Sequence, residues 1–80
     1  GRTCLLGYDG APPALPVGWV HESLGARADL AGIARGLYAA LRAADAAGYE
    51  RIVVELTGAE GLGRAIDDRI RRAASGVVLG

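Results

Sequence analysis

The sequence contains no lysine, no phenylalanine and no methionine, and only one residue each of cysteine, histidine and tryptophan. Each gap excludes something. Without lysine there is no phosphate loop of the G-x-x-x-x-G-K-[ST] type. A single cysteine, Cys4, rules out a disulfide within the chain and a cysteine-based metal cluster, and it suits a reducing compartment. A single histidine, His21, leaves no second imidazole for acid–base or metal work. The missing Phe and Met make the core aliphatic, with Trp19, Tyr8, Tyr38 and Tyr49 as the only large rings. Apolar runs stop far short of the roughly 20 residues of a membrane-spanning helix, and no signal-peptide pattern opens the chain. The expected setting is therefore the cytoplasm, with no membrane partner. Net charge is absent too. Nine arginines face nine acids, so no direct nucleic-acid binding is expected, and the arginines are expected in surface ion pairs.

What is present describes one small globular domain spanning 1–80, at 51% hydrophobic and 22% charged composition. A chain of this size buries about 60% of the surface its unfolded form exposes. "RTCLLGY" (2–8) is a short apolar run closed by "DGAPPALP" and reads as a buried strand. Pro12, Pro13 and Pro16 keep the next segment out of any ladder. "VGWVHESLG" (17–25) reads as a second short strand. In "RADLAGIARGLYAALRAADAAG", Leu30, Ile33, Ala34, Leu37, Tyr38 and Leu41 share one helix face. Asp29 stands at its start and Gly48 just past its end. Gly32 and Gly36 either pack closely on a neighbour or reflect an Ala/Gly-rich composition.

"RIVVELT" (51–57) is nearly continuous in apolar residues, the pattern of a strand covered on both faces. A second helix, from about Gly63 to Ala74, has Leu62, Ala65, Ile66, Ile70 and Ala73 as its core stripe. Asp67 with Arg71 and Asp68 with Arg72 form acid-first pairs four apart, and Gly76 stops the helix. "VVLG" is a last short strand or a tail. This alternation predicts an α/β fold with right-handed crossovers.

The turn "TGAEGLGR" (57–64) joins strand to helix, where free backbone N–H groups attract anions. Its glycines fit neither the lysine-bearing loop nor G-x-G-x-x-G, since Gly61 and Gly63 are followed by Ile66. Glu60 also brings negative charge to the place a phosphate would take, so a structural turn is expected. Arg64, Arg69, Arg71 and Arg72 suggest a basic patch for RNA, but Asp67 and Asp68 oppose it and the helix has no aromatic residue to stack bases. A charged face meeting another domain is the expectation. Arg69 stands at the edge of the apolar stripe, in reach of a partner carboxylate. Cys4 reads as a small buried hydrophobe and His21 as a strand residue beside Glu22. No catalytic, cofactor or metal residue is assigned. The candidate interdomain or anion contacts are Gly61, Gly63, Arg64, Asp68, Arg69 and Arg72.

"ARGLYAALRAADAAGYERIVVE" followed by "GLGRAIDDRIRRAA" resembles the C-terminal domain of the long, two-domain form of threonylcarbamoyl-AMP synthase. The ordered pattern is "A-R-x-L-[YF]-x-x-L-R-x-x-D" from Ala34 to Asp45, "G-x-x-x-I-x-V-E" from Gly48 to Glu55, and "G-L-G-x-A-I-x-D-R-[LI]-x-R-A" from Gly61 to Ala73. It covers the last two-thirds of the chain. The resemblance implies a small Rossmann-like, three-layer domain with a mainly parallel sheet of about three or four strands and two main helices. It implies a YrdC-type catalytic domain as partner, normally in the same chain. The whole enzyme is a nucleotidyltransferase that joins L-threonine, bicarbonate and ATP for tRNA threonylcarbamoyladenosine modification. The catalytic domain, and the stretch resembling "S-P-G-M-x-x-x-H-Y-x-P" that precedes the accessory domain, have no counterpart here, so no cofactor is expected on this chain. The alternatives are a stand-alone nucleotide- or phosphate-binding module and a self-associating module, a homodimer, pairing through a sheet edge or the Gly32/Gly36 face.

Overall fold

The structure, a computed structural model, describes residues 1–73 and the backbone of 78 and 79. The elements follow as β1 (Thr3–Gly7), β2 (Trp19–Ser23), α1 (Leu30–Ala46), β3 (Arg51–Glu55), α2 (Leu62–Ala73) and β4 (Val78–Leu79). The expected α/β alternation is present, and "VVLG" contributes a short strand. Gly76, the expected helix stop, lies outside the described residues.

The strands form one sheet in the order β2-β1-β3-β4, with every neighbouring pair parallel. Leu5 stands opposite His21 on one side and Val53 on the other. All five residues of β1 are buried, which suits a central strand apolar on both faces. At the edge, β2 leaves Glu22 and Ser23 exposed.

Parallel neighbours need crossovers rather than hairpins. α1 carries the chain from β2 to β3 and α2 from β3 to β4, both in the same direction across the sheet, and right-handed connections then put both helices on one face. The core matches. Cys4, Leu6, Tyr8 and Val54 from the sheet meet Ile33, Leu37 and Ala44 of α1 and Ile66 and Ile70 of α2. Leu5 and Val53 point to the opposite face and are also buried. Among the described residues no helix lies over that second face. The connection from β1 to β2 runs the other way across the sheet as irregular chain, and Pro12, Pro13 and Pro16 keep it from forming a helix.

α1 starts as expected, with the Asp29 side chain accepting a hydrogen bond from the Gly32 N–H at 3.1 Å. The two helical stripes differ from expectation in their outer members. Tyr38 is 71% exposed and Leu62 45%, and Ala65 and Ala73 are exposed as well. α2 buries Gly63, Ile66, Asp67 and Ile70 instead. Asp67 faces inward beside Ile66 and Ile70, its carboxylate held by Thr57 and Gly58. Gly36 has open space where a side chain would be, and Gly32 faces the Asp29 cap, so neither packs on a neighbouring backbone.

The arginines also depart from expectation. Among the described residues only two of the arginines form ion pairs, Arg27 with Glu55 and Arg72 with Asp68. Asp67 does not pair with Arg71. Three guanidiniums instead lie over tyrosine rings: Arg2 on Tyr49, Arg27 on Tyr8 and Arg42 on Tyr38.

Candidate functional site

In an open parallel sheet, ligands enter at the carboxyl ends of the strands, where successive connections leave in opposite directions. Here that point lies between β1 and β3, since the chain leaves β1 toward β2 and leaves β3 toward β4. The residues there are Tyr8 and Asp9 after β1, and Glu55, Thr57 and Gly58 at the end of β3.

Arg27, from the β2–α1 loop, fills this crevice. Its guanidinium pairs with Glu55, donates to the Thr57 carbonyl at 3.1 Å and lies 4.8 Å from the centre of the Tyr8 ring. Its backbone N–H donates to Asp9 Oδ1 at 3.0 Å. The Tyr8 hydroxyl donates to the Glu55 carbonyl at 2.8 Å. Burial pushes the Tyr8 phenol up to about 12, helped by the negative charge of Asp67 and opposed by Arg27.

The glycine turn is closed by the same means. Asp67 accepts from the Thr57 N–H at 2.7 Å, from the Thr57 hydroxyl at 2.9 Å and from the Gly58 N–H at 3.1 Å. Thr57 Oγ1 accepts from the Ala59 N–H at 3.2 Å, with the Gly63 carbonyl a second acceptor for its proton at 3.2 Å. At the head of α2, Gly63 N–H donates to the Glu60 carbonyl, and Arg64 and Ala65 N–H to Gly61. The N–H groups of Thr57, Gly58, Ala59, Gly63, Arg64 and Ala65 are thus engaged by the protein itself, and the Asp67 carboxylate takes the Thr57 and Gly58 donors that an anion could otherwise use. Three glycines make the turn possible, Gly58 with φ +68° among them. Gly61 has φ +60°, and a Cβ on Gly63 would lie 2.5 Å from that of Ala59 and 2.9 Å from Thr57 Oγ1.

The six candidate contacts fall into two groups rather than one site. Gly61 and Gly63 shape the turn, while Arg64 and Asp68 line a polar hollow beside it with Glu60 and Arg71. Arg69 and Arg72 instead reach the other flank of α2. There they border an apolar groove of about 330 Å³ floored by Ala34, Leu37, Leu41 and Ala73. The three residues that lock the switch point, Arg27, Thr57 and Asp67, were not among the candidates. One signal for Asp67 is legible in the sequence. It shares a helix face with Gly63, Ile66 and Ile70, where a charged residue needs a buried partner.

Reactive side chains do not converge. Cys4 is fully buried, and burial, with Glu22 close by, lifts its thiol to about 11, so it is no nucleophile near neutrality. His21 is a strand residue of β2 beside Glu22, as expected. It lies on the helix-free face, where a Cβ on Gly7 would be 2.9 Å from its Nε2 and 3.4 Å from Glu55 Oε1. Glu55 itself is held by Arg27. Among the described residues no three His, Cys, Asp or Glu side chains gather as metal ligands, and no helix is long and apolar enough to cross a membrane.

A parallel four-stranded sheet, two helices on one face and a switch-point crevice occupied by the protein's own side chains define a Rossmann-like α/β domain. The model of the family described as threonylcarbamoyl-AMP synthase, C-terminal domain, matches residues 2–75, and the chain belongs to that family. The match takes in β1 and β2, ahead of the motifs in the last two-thirds. No curated protein and no solved structure matches the chain. The family belongs to tRNA threonylcarbamoyladenosine modification, and a domain of this kind implies a partner catalytic domain.

Proposed function

We propose that this chain is the accessory domain of a threonylcarbamoyl-AMP synthase, working in the cytoplasm beside a YrdC-type catalytic domain and performing no chemistry itself. The nucleotidyl transfer, and the ATP it consumes, belong to the catalytic domain; this chain takes no cofactor. One observation carries the reading: Asp67 and Arg27 occupy the turn and the crevice where a fold of this type would take a nucleotide. The high-lying Cys4 thiol and Tyr8 phenol support it, since neither serves as a base or nucleophile near pH 7.

The test is an assay of pyrophosphate release from ATP with L-threonine and bicarbonate. The chain alone gives background, and added to a separately expressed catalytic domain of the family it raises that domain's rate. Adenylate formation by the chain alone would overturn the division of labour. Saturable micromolar ATP binding that shifts the amides of Gly58 to Arg64 would instead make it a nucleotide-binding module.

A further inference from the structure

The expected core-stripe residues that the fold leaves exposed gather in one place, apart from the exposed Val17 in the β1–β2 connection. Tyr38, Leu62, Ala65 and Ala73 all belong to the expected core stripes, and all four line the seam between α1 and α2. The groove bordered by Arg69 and Arg72 runs into a smaller hollow of about 100 Å³ at Leu62 and Ala65, the two sharing Ala34, Leu37 and Arg69. The floor is low because three of its residues are alanines. From Leu62 to Ala73 the seam follows about three helical turns.

Its charged lining, among the described residues, is Arg69 and Arg72. α1 and α2 together carry Arg35, Arg42, Arg64, Arg69, Arg71 and Arg72 against Asp45, Asp67 and Asp68, and Asp67 is buried in the turn. The exposed helix layer is therefore positive, although the chain as a whole is neutral. Arg42 on the Tyr38 ring extends that charge to the α1 bank. A small-molecule pocket has fixed polar groups converging on its ligand. This groove has only flexible guanidiniums at its rim, one of them bridged to Asp68 at 3.1 Å.

We propose that the α1/α2 seam is the docking surface of the domain, and that it receives an amphipathic helix of about three turns whose leucine-like side chains enter the groove while its acids meet Arg69 and Arg72. The proposal rests on the accessory-domain reading and names the surface through which it acts.

The test uses the ¹⁵N-labelled chain and two synthetic helical peptides. Both have Leu at i, i+3, i+4 and i+7, one with Glu and the other with Lys at the flanking positions. The Glu peptide should shift the amides of Leu37, Tyr38, Leu41, Arg69 and Ala73 and bind at least tenfold more tightly than the Lys peptide. Arg69→Glu with Arg72→Glu, both on exposed positions, should reverse that preference. Equal affinity for the two peptides, or shifts confined to other faces, would overturn the proposal. So would self-association of the free chain through these residues, or displacement of the Glu peptide by a tRNA fragment. A separately expressed catalytic domain of the family, added in trans, distinguishes the two levels. Shifts in the seam support both. Shifts elsewhere remove the seam but leave the accessory role, and absence of both binding and rate enhancement removes the accessory role itself.

Discussion

Replacing Asp67 with Ala removes the carboxylate that three donors of the turn share. The three losses are unequal. The Thr57 N–H is left buried without a partner, at about 1–3 kcal/mol. The Thr57 hydroxyl can turn to the Gly63 carbonyl at 3.2 Å, and the Gly58 N–H belongs to an exposed residue and regains water. Adding the lost charge-assisted bond gives a destabilisation of about 2–4 kcal/mol. A domain of this size has about 4–12 kcal/mol in total, so the substitution removes a large fraction. Urea denaturation followed by circular dichroism should show the midpoint falling by about 2 M, at an m-value of about 1–1.5 kcal/mol/M. Asp67→Asn should lose less, because one acceptor oxygen survives. Thr57→Val in the Asp67→Ala background should cost less than in the wild type, since the hydroxyl's preferred acceptor is already gone. Added formate should restore part of the Asp67→Ala loss by taking the vacated position. A change below about 0.5 kcal/mol for Asp67→Ala would mean that the turn holds its shape without the carboxylate, and the account of the closed anion position would fail.

Three further outcomes follow from the geometry. The folded state raises the Cys4 thiol from 9 to about 11 and the Tyr8 phenol from 10 to about 12. Native protein then binds more protons than unfolded, so stability is full below pH 9 and falls as pH rises. The loss runs from pH 9 to 11 through Cys4 and from 10 to 12 through Tyr8, at about 2–3 kcal/mol each. Melting curves across pH 8–12 check this, and Cys4→Ser should remove the lower step. Gly63→Ala should destabilise by about 1–3 kcal/mol through its clash with Ala59 and Thr57, whereas Gly36→Ala, in open space on α1, should stabilise by about 0.5–1 kcal/mol; thermal melts of the pair compare them directly. Arg27→Ala should lower stability by about 1–2 kcal/mol after allowance for its half-exposed side chain. Arg27→Lys should recover only part, because an ammonium cannot hold Glu55 and the Thr57 carbonyl in one plane.

The strands and helices were legible because their apolar periods are strong: continuous for β1 and β3, and at helical spacing through Ile33 and Leu37. The Asp29 cap was legible for the same local reason. Packing was not. A stripe records which residues are apolar, not how wide a strip the sheet will cover, so Tyr38 and Leu62 looked like core. The inward turn of Asp67 depends on Thr57 ten residues earlier, and the Arg27 plug depends on Glu55 across two strands. Such pairings exist only once the parallel order is known. The nine arginines misled for a related reason: equal totals suggest pairing, while among the described residues Arg72 alone of the helix-borne arginines has an acid at ion-pair distance.

β1, the earliest of this domain's strands in the chain, is with β3 one of the two that end up flanked on both sides. As the chain leaves the ribosome, β1 is apolar on either face, and its β3 edge has no partner until Arg51 to Val54 have been synthesised. Every pairing in the sheet joins distant positions, Thr3 with Trp19 and Arg51 among them, so no hairpin can hold the chain meanwhile. Between the synthesis of β1 and that of β3 the nascent polypeptide therefore exposes an unprotected greasy ribbon. Its folding belongs to the slower, loop-closure-limited class, in which early binding by chaperones competes with aggregation.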